Sequence, residues 1–179
     1  MSINDNGIVD TLKECPENGF RMLMMKYQEP VYWHIRRLVV SHDDAQDASQ
    51  ETFVRIYRSF GNYRGDCSLR SWIYRIATNE ALRIISKRRQ EVVFIESETT
   101  GVNLIQGDDY IDFDDKVAVK LQKAILSLPP KQQLAFNLRY YDELGFGEIA
   151  KVADSTPTSI KASYHVAKEK IIKYMNSND

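Results

Sequence analysis

Between Glu91 and Asp115 the chain abandons any regular apolar period, and EVVFIESETTGVNLIQGDDYIDFDD carries eight acids with no lysine or arginine. A stretch this polar, mixing Gly, Thr, Ser and Asp, reads as a linker. It divides the 179 residues into two parts that must each bury a core of their own. On both sides apolar residues recur at three- and four-residue steps, the period of helices with one buried stripe. The expected fold is all-α: two small helical domains, residues 1–90 and 116–179, joined by an acidic flexible linker over 91–115. Within that linker only Val92 to Ile95 has strand character, and nothing nearby offers a partner strand.

Residues 1–19 are polar, with Pro16 and Gly19, and fit a mobile lead-in or one small helix. From Phe20 the residues Leu23, Met24, Tyr27, Val31 and Ile35 continue a helical stripe. Pro30 removes a backbone donor and crowds the preceding turn, which predicts a kink or break near Gln28 to Pro30. Ser41, three residues before Asp44, has the spacing of an N-cap, and Asp43 and Asp44 suit the positive end of a helix running from about His42 to Ser59. A loop from Gly61 to Ser68 then leads to a helix from Leu69 to about Arg89. Its expected apolar face is Leu69, Trp72, Ile73, Ile76, Ala77, Leu82 and Ile85, completing a three-helix bundle.

Beyond the linker, Val117, Leu121, Ile125 and Leu128 mark a helix that Pro129-Pro130 stops, and Pro130 starts the next. Leu134, Phe136, Leu138 and Tyr141 are expected to form its core face. The segment GFGEIAKVADSTPTSIKASYHVAKEKIIKYM reads as a helix from Phe146 to Val152, a tight turn through Asp154, and a longer helix with Thr156 as cap and Pro157 at its first position. That is a helix-turn-helix, whose second helix ordinarily places its first side chains on base edges in the DNA major groove.

A net charge of −1 hides strong patterning. From Gly61 to Gln90 seven Lys or Arg face two acids, Asp66 and Glu80, among Tyr63, Trp72 and Tyr74. Cations that track phosphates and rings that stack on unpaired bases are what single-stranded nucleic acid requires. A solvated basic face with its aromatics in the core explains the same residues equally well, and Trp72 leans toward that core. The near-neutral total argues against coating duplex DNA by bulk charge, so any such contact is local and partner-assisted. Two cysteines and three scattered histidines give no zinc spacing. Asp43, Asp47 and Glu51 recur at four-residue steps but lack the ligands that would complete a metal shell. No cofactor or metal is expected. With no long apolar run and no secretory signal pattern, the chain is expected to be soluble and cytoplasmic, without membrane insertion.

Three stretches in fixed order carry a resemblance: DAQDASQETFVRIYR from Asp44, YRGDCSLRSWIYRIATNEAL from Tyr63, and LPPKQQLAFNLRYYDELGFGEIAKVADSTPTSIKASYHVAKEKI from Leu128. Over about residues 20–90 and 117–175 the chain resembles a bacterial extracytoplasmic-function (ECF) sigma factor of the sigma-70 family, reduced to regions 2 and 4. The resemblance implies a non-enzymatic transcription initiation factor whose partners are core RNA polymerase, promoter DNA and an anti-sigma factor. It implies polymerase docking through Asp44, Asp47, Gln50 and Glu51. For the minus-ten element and melting it implies Asn62, Tyr63, Arg64, Ser68, Arg70, Tyr74, Arg75, Asn79, Lys87, Arg88 and Arg89, with a flipped base held by the loop and Asn79 at the point of strand separation. Arg83 falls where many relatives carry an acid. For the minus-thirty-five element it implies Thr158, Ser159, Lys161, Ala162, Ser163 and His165, while Ser163 and Val166 stand where many relatives have arginine. It also implies that the acidic linker threads toward the polymerase cleft. Read from the residues alone, a free-standing helix-turn-helix regulator and a protein-interaction module stay open as alternatives.

Overall fold

The computed structural model describes residues 3–93 and 115–177, the side chains of 89–93 excepted. Among the described residues every regular element is helical, and the contacts divide the chain into two units, Met1–Leu104 and Ile105–Asp179. Nearly all of the acidic linker lies outside the described residues.

The first unit holds α1 (Asp5–Glu14), α2 (Pro16–Val39), α3 (His42–Ser59), a 3-10 turn (Phe60–Asn62) and α4 (Leu69–Val93). Asn4 opens α1, its side chain accepting from the Asn6 N–H, and Ile8 and Leu12 are the residues it buries. Of the two expectations for residues 1–19, the small helix is the one found. A close approach seats it, because a Cβ at Gly19 would overlap the backbone of Leu12. The Asp5 carboxylate adds a polar tie, accepting from the Tyr27 hydroxyl at 2.8 Å and the Lys26 ammonium at 2.7 Å. Burial first, and then Asp5 beside it, pushes the Tyr27 hydroxyl far above the ordinary phenol range.

α2 corrects an expectation. It runs through Pro30 without a break. The proline is exposed, so its ring stands in solvent while Tyr27 and Val31 on either side keep the buried stripe. The chain then turns at Val40, whose φ of 65° is a left-handed conformation that side chains branched at Cβ seldom adopt. α3 starts where its cap spacing places it, with Ser41 Oγ accepting from the Asp44 N–H at 3.4 Å. It packs on α2 and α4 through Ala45, Ala48, Thr52, Phe53 and Ile56. Val92 and Val93 are helical residues at the end of α4, so their strand character is not expressed. α4 therefore ends later than the Arg89 expected for it.

The second unit holds α5 (Lys116–Leu126), α6 (Pro130–Tyr140), α7 (Phe146–Val152) and α8 (Pro157–Asn176), with α8 packed against the other three. Asp115 caps α5 by accepting from the N–H groups of Val117 and Ala118. Ala124, Ile125, Leu128, Phe136, Ala167 and Ile171 form its core, with Leu121 and Tyr164 partly buried against them. Val117 and Tyr141, expected inside, are 65% and 38% exposed, because each sits at a helix end where the stripe runs out beyond its neighbours.

Candidate nucleic-acid interface

The loop from Asn62 to Ser68 is shaped by its own residues. Gly65 has φ 79°, which a residue without Cβ adopts freely. The Tyr63 hydroxyl donates to the Cys67 carbonyl at 2.8 Å, closing the loop on itself, and Ser68 Oγ accepts from the Ser71 N–H at 3.1 Å to open α4. At the loop's base the rings of Phe60, Tyr63 and Trp72 gather, with Tyr63 to Trp72 at 5.3 Å and Tyr63 to Phe60 at 6.0 Å. Partial burial raises the Tyr63 hydroxyl above its ordinary range. Opposite stands α1, and between them lies an open cleft of about 720 Å³ lined by Asn6, Asp10, Lys13, Tyr63, Arg64 and Ser68.

On α4 the structure exchanges two aromatics. Tyr74, expected on DNA, is 2% exposed and lies 5.0 Å from the buried His34 ring. Trp72, expected in the core, is only half-buried. Leu69, Ile73 and Ala77 of the expected apolar face are buried, but Ser71, Tyr74, Thr78, Glu80 and Ala81 point inward beside them and Leu82 is 44% exposed, so the buried face is rotated from the one read from sequence. His34 Nε2 lies 2.8 Å from Thr78 Oγ1, a polar contact within the core that goes with this rotation. Its outcome is that Arg75 and Asn79, one turn apart, are both exposed. Arg70 lies with its guanidinium 5.9 Å from the Tyr74 ring centre. Asn62, Arg64 and Lys87 are exposed, whereas the side chain of Arg89 is outside the described residues.

Among the described residues two ion pairs join α3 to α4. Asp44 and Arg88 meet at 2.7 Å, so a carboxylate expected on polymerase and a cation expected on phosphate are paired with each other in the free chain. Deeper in, Glu80 is 2% exposed and is held by Arg55 of α3 and by Arg83 at 2.9 Å. Arg55 also faces Glu51 at 3.5 Å. Arg83 is thereby accounted for as a partner of Glu80. Sequence reading missed this buried pair: Glu80 was counted as an acid within a basic run, and Arg55 lies 25 positions earlier. Asp47 and Gln50 remain exposed and Glu51 half-exposed on the outer side of α3.

In the second unit α7 and α8 form the expected turn. Glu148 accepts from the Gly145 N–H at 3.0 Å and Thr156 Oγ1 from the Ser159 N–H at 3.2 Å, capping the two helices. Asp154 makes the turn at φ 49°. Ile149, Ala150 and Val152 of α7 and Ile160 of α8 are buried where the two helices pack, while Thr158, Lys161, Ala162 and His165 are exposed, and Ser159 and Ser163 half-exposed, on α8.

The sequence matches two family models in chain order, sigma-70 region 2 over residues 23–91 and sigma-70 region 4 over residues 118–171. The chain belongs to the sigma-70 family, in its ECF branch. It is an RNA polymerase sigma factor. The RNA polymerase sigma-H factor of Pseudomonas aeruginosa is 28% identical over 94% of this chain and 92% of its own. The ECF RNA polymerase sigma-E factor of Escherichia coli is 28% identical over 94% of this chain and 93% of its own. The fold of this sigma factor is similar to that of the sigma factor RpoE of Bartonella quintana, solved in complex with the anti-sigma factor NepR. That likeness has a TM-score of 0.71 at 18% identity, over 89% of this chain and 98% of the other.

Proposed function

We propose that this sigma factor docks on core RNA polymerase through the outer side of α3, reads the minus-thirty-five element with the start of α8, and melts the minus-ten element with α4 and the loop before it. The observation that carries the melting role is the rotation of α4. With Tyr74 and Glu80 buried, Arg75 and Asn79 are exposed together, offering a cation for phosphate and an amide for a base edge on one face. The cleft between α1 and the loop takes the extruded base, with the half-buried ring of Tyr63 as its stacking face and Arg64 at its mouth. Stacking of that kind offsets the unpairing energy that flipping requires. Docking rests on Asp47, Gln50 and Glu51, an acidic and amide row suited to a basic partner surface. Asp44 is left out of that row by its pairing with Arg88.

The chain is read as a non-enzymatic, cytoplasmic subunit whose working parts are residues 1–90 and 116–179. An anti-sigma factor that silences it has to cover the same α3, α4 and α8 surfaces. With purified core enzyme, the protein is expected to direct transcripts from promoters located by start-site mapping after overproduction. Asn79→Ala or Arg75→Ala should abolish these transcripts while leaving co-purification with core enzyme intact, and Asp47→Lys should abolish co-purification with unchanged helical content. Tight, specific promoter binding by the chain without core enzyme would overturn this reading in favour of a free-standing regulator.

A further inference from the structure

α8 is poorly supplied with cations where it needs them. Between Thr156 and His165 its one Lys or Arg is Lys161, and Asp154 precedes it. A helix end set among phosphates depends on such charges for most of its sequence-independent affinity. The structure brings a second cation to this end from another helix. Lys131, exposed in the first turn of α6, donates from its ammonium to Ser159 Oγ at 2.9 Å, across 28 residues of chain. A second tie, from Lys170 Nζ to Gln132 Oε1 at 3.0 Å, joins the same turn of α6 to a later part of α8.

We propose that Lys131 is a DNA-backbone contact of the second unit, supplied from outside the helix-turn-helix. The inference rests on α8 being the recognition helix. An ammonium has three N–H donors; one engages Ser159 and two remain for phosphate oxygens. A lysine stem is flexible, and anchoring its tip beforehand lowers the ordering that binding would otherwise require. The same bond acts on Ser159. With an oxygen lone pair taken by Lys131, the serine hydroxyl is left to serve as donor, which suits the acceptors that purines and thymine present in the major groove. Lys131 and Ser159 thus divide the work, one holding the backbone and the other reading a base.

The test uses holoenzyme and a duplex that carries the mapped minus-thirty-five element and stops short of the minus-ten element, beside a scrambled duplex, over a range of salt concentrations. Lys131→Gln is expected to weaken binding to both duplexes by the same factor, and to make the slope of log affinity against log salt shallower by about 0.9. Lys131→Arg should keep the slope. Ser159→Ala should keep it too, while lowering the ratio of matched to scrambled binding. An unchanged slope in Lys131→Gln overturns the proposal whatever happens to the ratio. A ratio of one in the unaltered protein overturns the reading of α8 instead.

Discussion

Glu80 is a carboxylate 2% exposed between two arginines that are each at least half exposed. The asymmetry decides which loss hurts more. Glu80→Gln leaves both guanidinium groups in contact with water, and the expected loss is about 1 to 2 kcal/mol for the charge-assisted hydrogen bonds. Replacing Arg55 and Arg83 together by alanine strands a charge inside the unit, and about 3 kcal/mol or more is expected. Urea unfolding followed by tryptophan fluorescence can rank them, because Trp33 and Trp72, the chain's two tryptophans, both lie in the first unit. Equal losses would show that burial of Glu80 is not the controlling term. Tyr27 supplies a pH test. Its folded-state pKa lies above the unfolded value, so the folded chain keeps this proton where the unfolded chain releases it. The stability it contributes is complete below about pH 10 and is lost as pH rises beyond it. Tyr27→Phe lacks that loss, so the stability gap between it and the unaltered protein should narrow from about pH 9 to 11. A constant gap would contradict the assignment. Three α4 residues outside the apolar face expected for it are buried against partners distant in sequence. Tyr74, Thr78 and Glu80 each carry a polar group, and their partners His34 and Arg55 lie 25 to 44 positions away, beyond the reach of any helical period, although Glu80 also has Arg83 three positions on.

At the scale of elements, what was legible followed from local chemistry. The starts of α3, α6 and α8 were fixed by Ser41, Pro130, Thr156 and Pro157, each of which acts on its own first turn. The seating of α1 was not legible, because it depends on the space that Gly19 leaves for Leu12 rather than on any pattern within α1. Gly19→Ala forces a methyl group into the Leu12 backbone, and overpacking of this kind costs about 1 to 3 kcal/mol. Amide exchange should then report faster opening of α1 than of α2, and binding of minus-ten single strand by the holoenzyme should weaken, since α1 is one wall of the cleft. Unaltered exchange in α1 would show that the close approach does not seat it. The exposed side of α3 was legible for a different reason: Asp47, Gln50 and Glu51 recur at helical spacing with small and apolar residues opposite.

For the whole molecule, the proposed function divides the promoter between the two units, and chain continuity then has a measurable value. Linked modules meet their second site at an effective concentration on the order of millimolar. Fragments 1–93 and 115–179, supplied separately at about 10 micromolar, are expected to initiate about a hundredfold less than the intact chain on promoters that need both elements. Promoters that depend on the minus-ten element alone should respond to the first fragment with a much smaller deficit. Equal deficits on both would indicate that the second unit contributes something besides its DNA element. The division into two helical parts was visible in charge and period alone, because the apolar period stops across the stretch of eight acids with no base. Glu80 bears on this scale too. Its carboxylate comes from α4 and one of its cations from α3, which makes those two helices a single cassette for anyone building chimeras. Grafting a foreign α3 would carry Arg55 away and leave the buried Glu80 to Arg83 alone, so such exchanges should keep full stability only when position 55 and position 80 travel together.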